Sequence, residues 1–89
     1  MEKKLTNMPY AQAKVIMENG ETILRSYYTN VALISADGWL TINGLYSATT
    51  RKHIGAFMRE YTNTSYQLAK QLYNDNMKYN IYTGEVAPI

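Results

Sequence analysis

Two turn dipeptides, Asn19-Gly20 and Asp37-Gly38, constrain this chain most, because each sits among strand-forming residues and both precede a change of period at Tyr46. Asn-Gly and Asp-Gly readily take positive φ at the centre of a two-residue hairpin turn, whose twist matches that of paired strands. Ahead of the first, Ala11, Ala13, Val15 and Met17 alternate with Gln12, Lys14 and Glu18, the period of a half-buried strand, with Ile16 out of phase. Thr22 to Thr29 reads as the returning strand, rich in β-branched and aromatic residues. Val31 to Ser35 reads as a third strand and Trp39 to Ile42 as a fourth, closed by Asn43-Gly44. Tandem hairpins predict a four-stranded antiparallel meander.

After Tyr46 the period becomes helical. Ser47 or Thr49 is placed to cap a helix, since a hydroxyl accepts from an otherwise orphaned amide two or three residues on. Ile54, Phe57, Met58 and Tyr61 then form an apolar stripe. Gly55 within it costs about 1 kcal/mol relative to alanine, which signals close packing or a contact at that spot. Thr62-Asn63-Thr64-Ser65 ends this helix and caps a second, whose stripe is Leu68, Ala69, Leu72, Tyr73 and Met77. The prediction is an α+β fold: a four-stranded antiparallel meander followed by two helices packed on one face of the sheet. It forms a single domain over residues 1–89, with residues 1–8 as a loose N-terminal arm and 79–89 as a tail or edge strand.

A chain of 89 residues buries only about 60–65% of the surface its unfolded form exposes. With no cysteine there is no disulfide, and one histidine without a thiolate cannot build a tetrahedral zinc site within one chain. Oligomerisation is the remaining way to support a thin core, so a homodimer is expected. The lack of cysteine, of a signal-peptide pattern and of a long apolar run places the protein in the cytoplasm, away from membranes. A net charge of +2 is low for a nucleic-acid binder. Nine tyrosines stand against one Phe and one Trp, a balance that suits either a recognition surface or a shallow core with half-exposed rings.

Chemistry concentrates at the expected helix start. His53 is the only side chain titrating near neutrality, yet no carboxylate or nucleophile stands at a defined spacing from it. Its structural reading is a half-buried ring bonded to a backbone carbonyl or to a strand hydroxyl such as Thr29. Ser47, Thr49 and Thr50 offer hydroxyls beside the amides of a helix N-terminus, and Arg51 and Lys52 add full charges, together a seat for a phosphate. Capping plus a solvated face explains the same residues. Tyr27, Tyr28 and Tyr46 lie near strand ends, where rings beside cations stack bases or anchor a protein partner. No Gly-rich phosphate loop, paired-carboxylate arrangement or metal-ligand spacing is present, so neither catalysis nor a cofactor is expected.

Leu24-x-Ser26-Tyr27-x-Thr29-x-Val31-Ala32, followed by Gly44-x-Tyr46-Ser47-x-Thr49-Thr50-x-x-His53-Ile54-x-x-Phe57, resembles a family of small uncharacterised proteins of bacteriophages and mobile elements of low-GC bacteria. The resemblance covers about Leu24 to Tyr61 and implies an origin without a mechanism. It marks Ser26, Tyr27, Thr29, Tyr46, Ser47, Thr49, Thr50 and His53 as one set, either a functional patch or a hydrogen-bond network joining a strand to the helix start. By analogy of size and origin, the expected function is non-enzymatic: binding and inhibition of a host protein or nucleoprotein complex, of the anti-CRISPR or another counter-defence type. The alternative is a small nucleic-acid or nucleotide binder seated at Ser47 to His53. Clustering of Lys14, Arg25, Arg51, Lys52 and Arg59 on one face would favour nucleic acid.

Overall fold

A computed structural model describes residues 1–89. Seven strands form one antiparallel sheet in sequence order: β1 (Glu2–Lys3), β2 (Ala13–Glu18), β3 (Glu21–Ser26), β4 (Thr29–Ile34), β5 (Trp39–Ile42), β6 (Met77–Asn80) and β7 (Val86–Pro88). Helices α1 (Ala48–Tyr61) and α2 (Tyr66–Asp75) lie between β5 and β6. The class is α+β, but the expected four-strand meander followed by helices is overturned: the sheet resumes after the helices and gains a strand at its start. Strands of two to four residues carry too few alternations to show a period.

Asn19-Gly20 makes the β2–β3 turn with φ of +53° and +80°, the pair of positive values that the strand twist requires. The expected strand from Thr22 to Thr29 is broken. Ser26 pairs with Thr29, so Tyr27-Tyr28 is a two-residue hairpin loop and does not sit within a strand. Beyond it the register shifts opposite Leu24 and Arg25, an irregularity beside which both Val31 and Ala32 are buried. Ile16, out of phase in the sequence, is buried on the outer face of the sheet next to Ile23, while Val15 faces the helices.

The first residues are no loose arm. Glu2 and Lys3 pair with Ile16 and Val15, and Leu5 is fully buried in the core. Likewise the last residues hold part of β6 and all of β7, joined by a turn that Asn80 organises: its Oδ1 accepts from the amides of Tyr82 and Thr83.

A core cluster of 15 residues joins Leu5, Val15, Leu24, Val31, Leu40 and Ile42 to Ile54, Phe57 and Met58 of α1 and to Ala69 and Leu72 of α2. In α1, every residue from His53 to Met58 is buried, more than one stripe allows. The helix is enclosed from several sides, by the sheet, by α2 and by the segment after β1, where the Thr6 amide donates to Glu60 Oε1 at 2.8 Å. Tyr73, expected in the second stripe, is 42% exposed, and Met77 belongs to β6. The outer sheet face has no layer over it.

Candidate functional site

Alternating strand directions put the β1–β2 connection, the Tyr27-Tyr28 loop and the β5–α1 connection at one end of the sheet. At that end a chain of hydroxyls joins β3 to α1, exposed at Ser47 and buried from Thr50 to Ser26 and His53. Ser47 is the N-cap, and its Oγ accepts from the Thr50 amide at 3.2 Å and donates to Thr50 Oγ1 at 3.2 Å. Thr50 Oγ1 lies 3.0 Å from Ser26 Oγ, which lies 2.8 Å from His53 Nδ1. Every hydroxyl donates once if the protons run Ser47 to Thr50 to Ser26 to His53. Nδ1 is then the acceptor, and the imidazole is neutral with its proton on Nε2. Burial holds the His53 pKa below its ordinary 6.5, which agrees with the neutral ring.

This arrangement decides several sequence expectations. The strand hydroxyl on His53 is Ser26 and not Thr29, which is exposed. Ser47 caps α1, while Thr49 is exposed and has no part in the cap. Ser47 and Thr50, two of the three hydroxyls expected to seat a phosphate, bond internally, and Thr49 alone of them has no internal bond. The set Ser26, Ser47, Thr50 and His53 is therefore an internal network that pins the helix start to the end of β3. It fixes what surrounds it.

What surrounds it is aromatic and cationic. Tyr27 lies over His53 with ring centroids 5.8 Å apart, and Tyr28 beside it is 98% exposed. Tyr46 is 58% exposed, its ring against Gly44, where an added Cβ would come within 2.6 Å of the ring. Tyr27 and Tyr46 adopt φ of +55° and +43°. That region costs a non-glycine residue roughly 1 kcal/mol or more, and strain of this kind collects at functional sites. The other non-glycine residues with positive φ are asparagines, which tolerate it. Each strained tyrosine adjoins a network serine, Ser26 or Ser47.

Arg51 and Lys52 project to solvent from the first turn of α1. Lys14 and Arg25 are paired across β2 and β3 on the outer face of the sheet, and Arg25 Nε donates to Asn30 Oδ1 at 3.0 Å. Lys4, Tyr10, Lys14 and Tyr27 line a groove of about 290 Å³ with residues 11–13. No acidic residue occurs in 3–14, 25–30 or 38–59. The exposed Glu2–Lys14 pair at 3.8 Å, the chain's one ion pair, is worth little. The opposite end, with the β2–β3, β4–β5 and β6–β7 turns, carries Glu18, Glu21, Asp37 and Glu85 and no cation. Charge is thus partly segregated along the strands, with Glu60, bonded to the Thr6 amide, and Asp75, just before β6, as the acids near the basic end. Lys4 and Tyr10 escaped the expected site; the acid-free run from Lys3 to Met17 was the available signal for them.

Residues 2–75 match the model of a family of unknown function, DUF8033. The chain belongs to that family. No curated protein and no solved structure matches it. The DUF8033 match spans β1 to the end of α2 and so includes the network and the groove at the sheet end, while leaving β6 and β7 outside. No helix is long and apolar enough to cross a membrane.

Proposed function

We propose that this protein is a small non-enzymatic binder of single-stranded nucleic acid, acting in a host cytoplasm as part of a phage or mobile element. The observation that carries the reading is the placement of Tyr10, Tyr27 and Tyr28 among Lys4, Lys14 and Arg25, at the sheet end opposite Glu18, Glu21, Asp37 and Glu85. Rings give sequence-tolerant stacking platforms and cations track the backbone, the combination used for single strands. A duplex keeps its base faces covered, so rings at this surface favour the single strand.

The test is binding of a labelled pyrimidine oligonucleotide against a duplex of equal length across a salt series. The reading requires preference for the single strand and an affinity that falls steeply with salt, as displaced cations return to the phosphates. Equal, salt-insensitive or absent binding overturns it.

A second reading, inhibition of a host protein complex of the anti-CRISPR or another counter-defence type, draws on a different surface. Ile16, Ile23, Leu33 and Thr41 are in register across the uncovered outer face of the sheet, with Trp39 beside Thr41 under the Lys78 ammonium at 4.5 Å. Ile16 is buried and Ile23, Leu33 and Trp39 are half-buried, and an apolar strip with an aromatic is the composition of a protein contact. Affinity capture from host lysate with and without nuclease separates the readings: a partner retained after nuclease supports the second.

A further inference from the structure

α1 carries a second groove, on its outer side, of about 430 Å³, lined by Met8, Arg51, Lys52, Gly55, Arg59 and Tyr66. Arg51, Gly55 and Arg59 recur every four residues and so lie on one face of the helix, with the glycine as a saddle between two arginines. None of the three cations has a carboxylate partner. Three like charges over two turns repel one another, a cost that a bound anion removes. Met8 and Tyr66 supply an apolar wall and a ring.

Gly55 gives an independent indication. A Cβ at this position would lie 3.4 Å from Tyr66 Cβ and 3.5 Å from Arg59 Nη1, ordinary van der Waals distances. Packing therefore admits alanine, which would favour the helix. What the glycine provides is depth: the groove floor is bare backbone at the point where the guanidinium of Arg59 folds across it.

We infer that this groove is a nucleotide subsite, in which Arg51, Lys52 and Arg59 hold a phosphate and Tyr66 with Met8 takes the attached base. The source is either a free nucleotide or one unit of a strand, and the strand form rests on the function proposed above. The segment between β1 and β2 borders both grooves, through Met8 in this one and Lys4 and Tyr10 in the other, so a strand would pass over it.

The experiment follows backbone amide NMR shifts of the full chain during titration with thymidine monophosphate, inorganic phosphate and an oligothymidine. Thymidine monophosphate should move the Gly55 and Tyr66 amides and bind several-fold tighter than inorganic phosphate. Arg59→Gln, an exposed change, should weaken the mononucleotide about tenfold and lower the salt slope of oligothymidine binding by about one. Gly55→Ala should raise the thermal midpoint and still weaken the mononucleotide. Lys14→Glu should weaken only the oligothymidine. Unchanged mononucleotide affinity in Arg59→Gln or Gly55→Ala overturns the subsite, as does equal binding of inorganic phosphate. Mononucleotide binding without oligothymidine binding keeps the subsite and overturns its strand form together with the proposed function.

Discussion

Ser26 Oγ, the last hydroxyl of β3, lies 2.8 Å from Nδ1 of His53, one turn into α1, and the two side chains are 2% and 1% exposed. This contact converts a strand end and a helix start, separated in sequence by the β4–β5 hairpin, into one rigid platform. The ring of Tyr27 and the charges of Arg51 and Lys52 sit on that platform.

Acid should loosen it. The folded-state pKa of His53 lies below its unfolded 6.5, so the unfolded chain binds more protons between the two values. The stabilisation is therefore complete above about pH 6.5 and is lost as pH falls towards the folded pKa. Thermal midpoints from pH 7 to 5 should decline for the wild type. His53→Asn should begin lower and decline less, and a wild-type midpoint flat across this range contradicts the assignment.

The cap and the network can be separated by substitution. Ser47→Ala should cost about 1 kcal/mol or more, because it removes the cap and the first donor of the network. Thr50→Ala, at a buried site, should cost roughly 1–3 kcal/mol. Thr49→Ala should stay within about 0.5 kcal/mol, as its side chain is exposed. Urea unfolding of the three variants ranks them, and a loss at Thr49 equal to that at Ser47 would reassign the cap.

The N-terminal segment should prove structural. Leu5 is fully buried in the core, so Leu5→Ala should cost about 2–5 kcal/mol. Removal of residues 1–8 should then leave a chain with a depressed midpoint or none. A truncated chain with the wild-type melting curve would mean that the arm is dispensable.

Tyr28 offers the cleanest test of the surface. At 98% exposure, Tyr28→Ala should leave stability within about 0.5 kcal/mol. If a base stacks on it, oligonucleotide binding should weaken by roughly 1–3 kcal/mol. Fluorescence anisotropy beside a thermal melt reads both, and unchanged affinity removes Tyr28 from the contact.

Local chemistry alone determined much of this protein. Asn19-Gly20 fixes a turn because its residues accept positive φ, and Ser47 caps α1 because a hydroxyl there meets an orphan amide. The change of period after Tyr46 marks the passage from sheet to helix. Tertiary structure decided what local chemistry leaves open. Glu2–Lys3 and Val86–Pro88 become strands only because β2 and β6 present free edges to them, since strands so short have no stability of their own. Tyr27-Tyr28 turns the chain although Tyr27 does not favour the positive φ it adopts, because the buried bonds of Ser26 and the pairing of β4 outweigh the local cost. Thr49 and Thr50 are adjacent and chemically alike, yet one faces solvent and the other bonds to Ser26. Only the fold, by bringing β3 against α1, tells them apart.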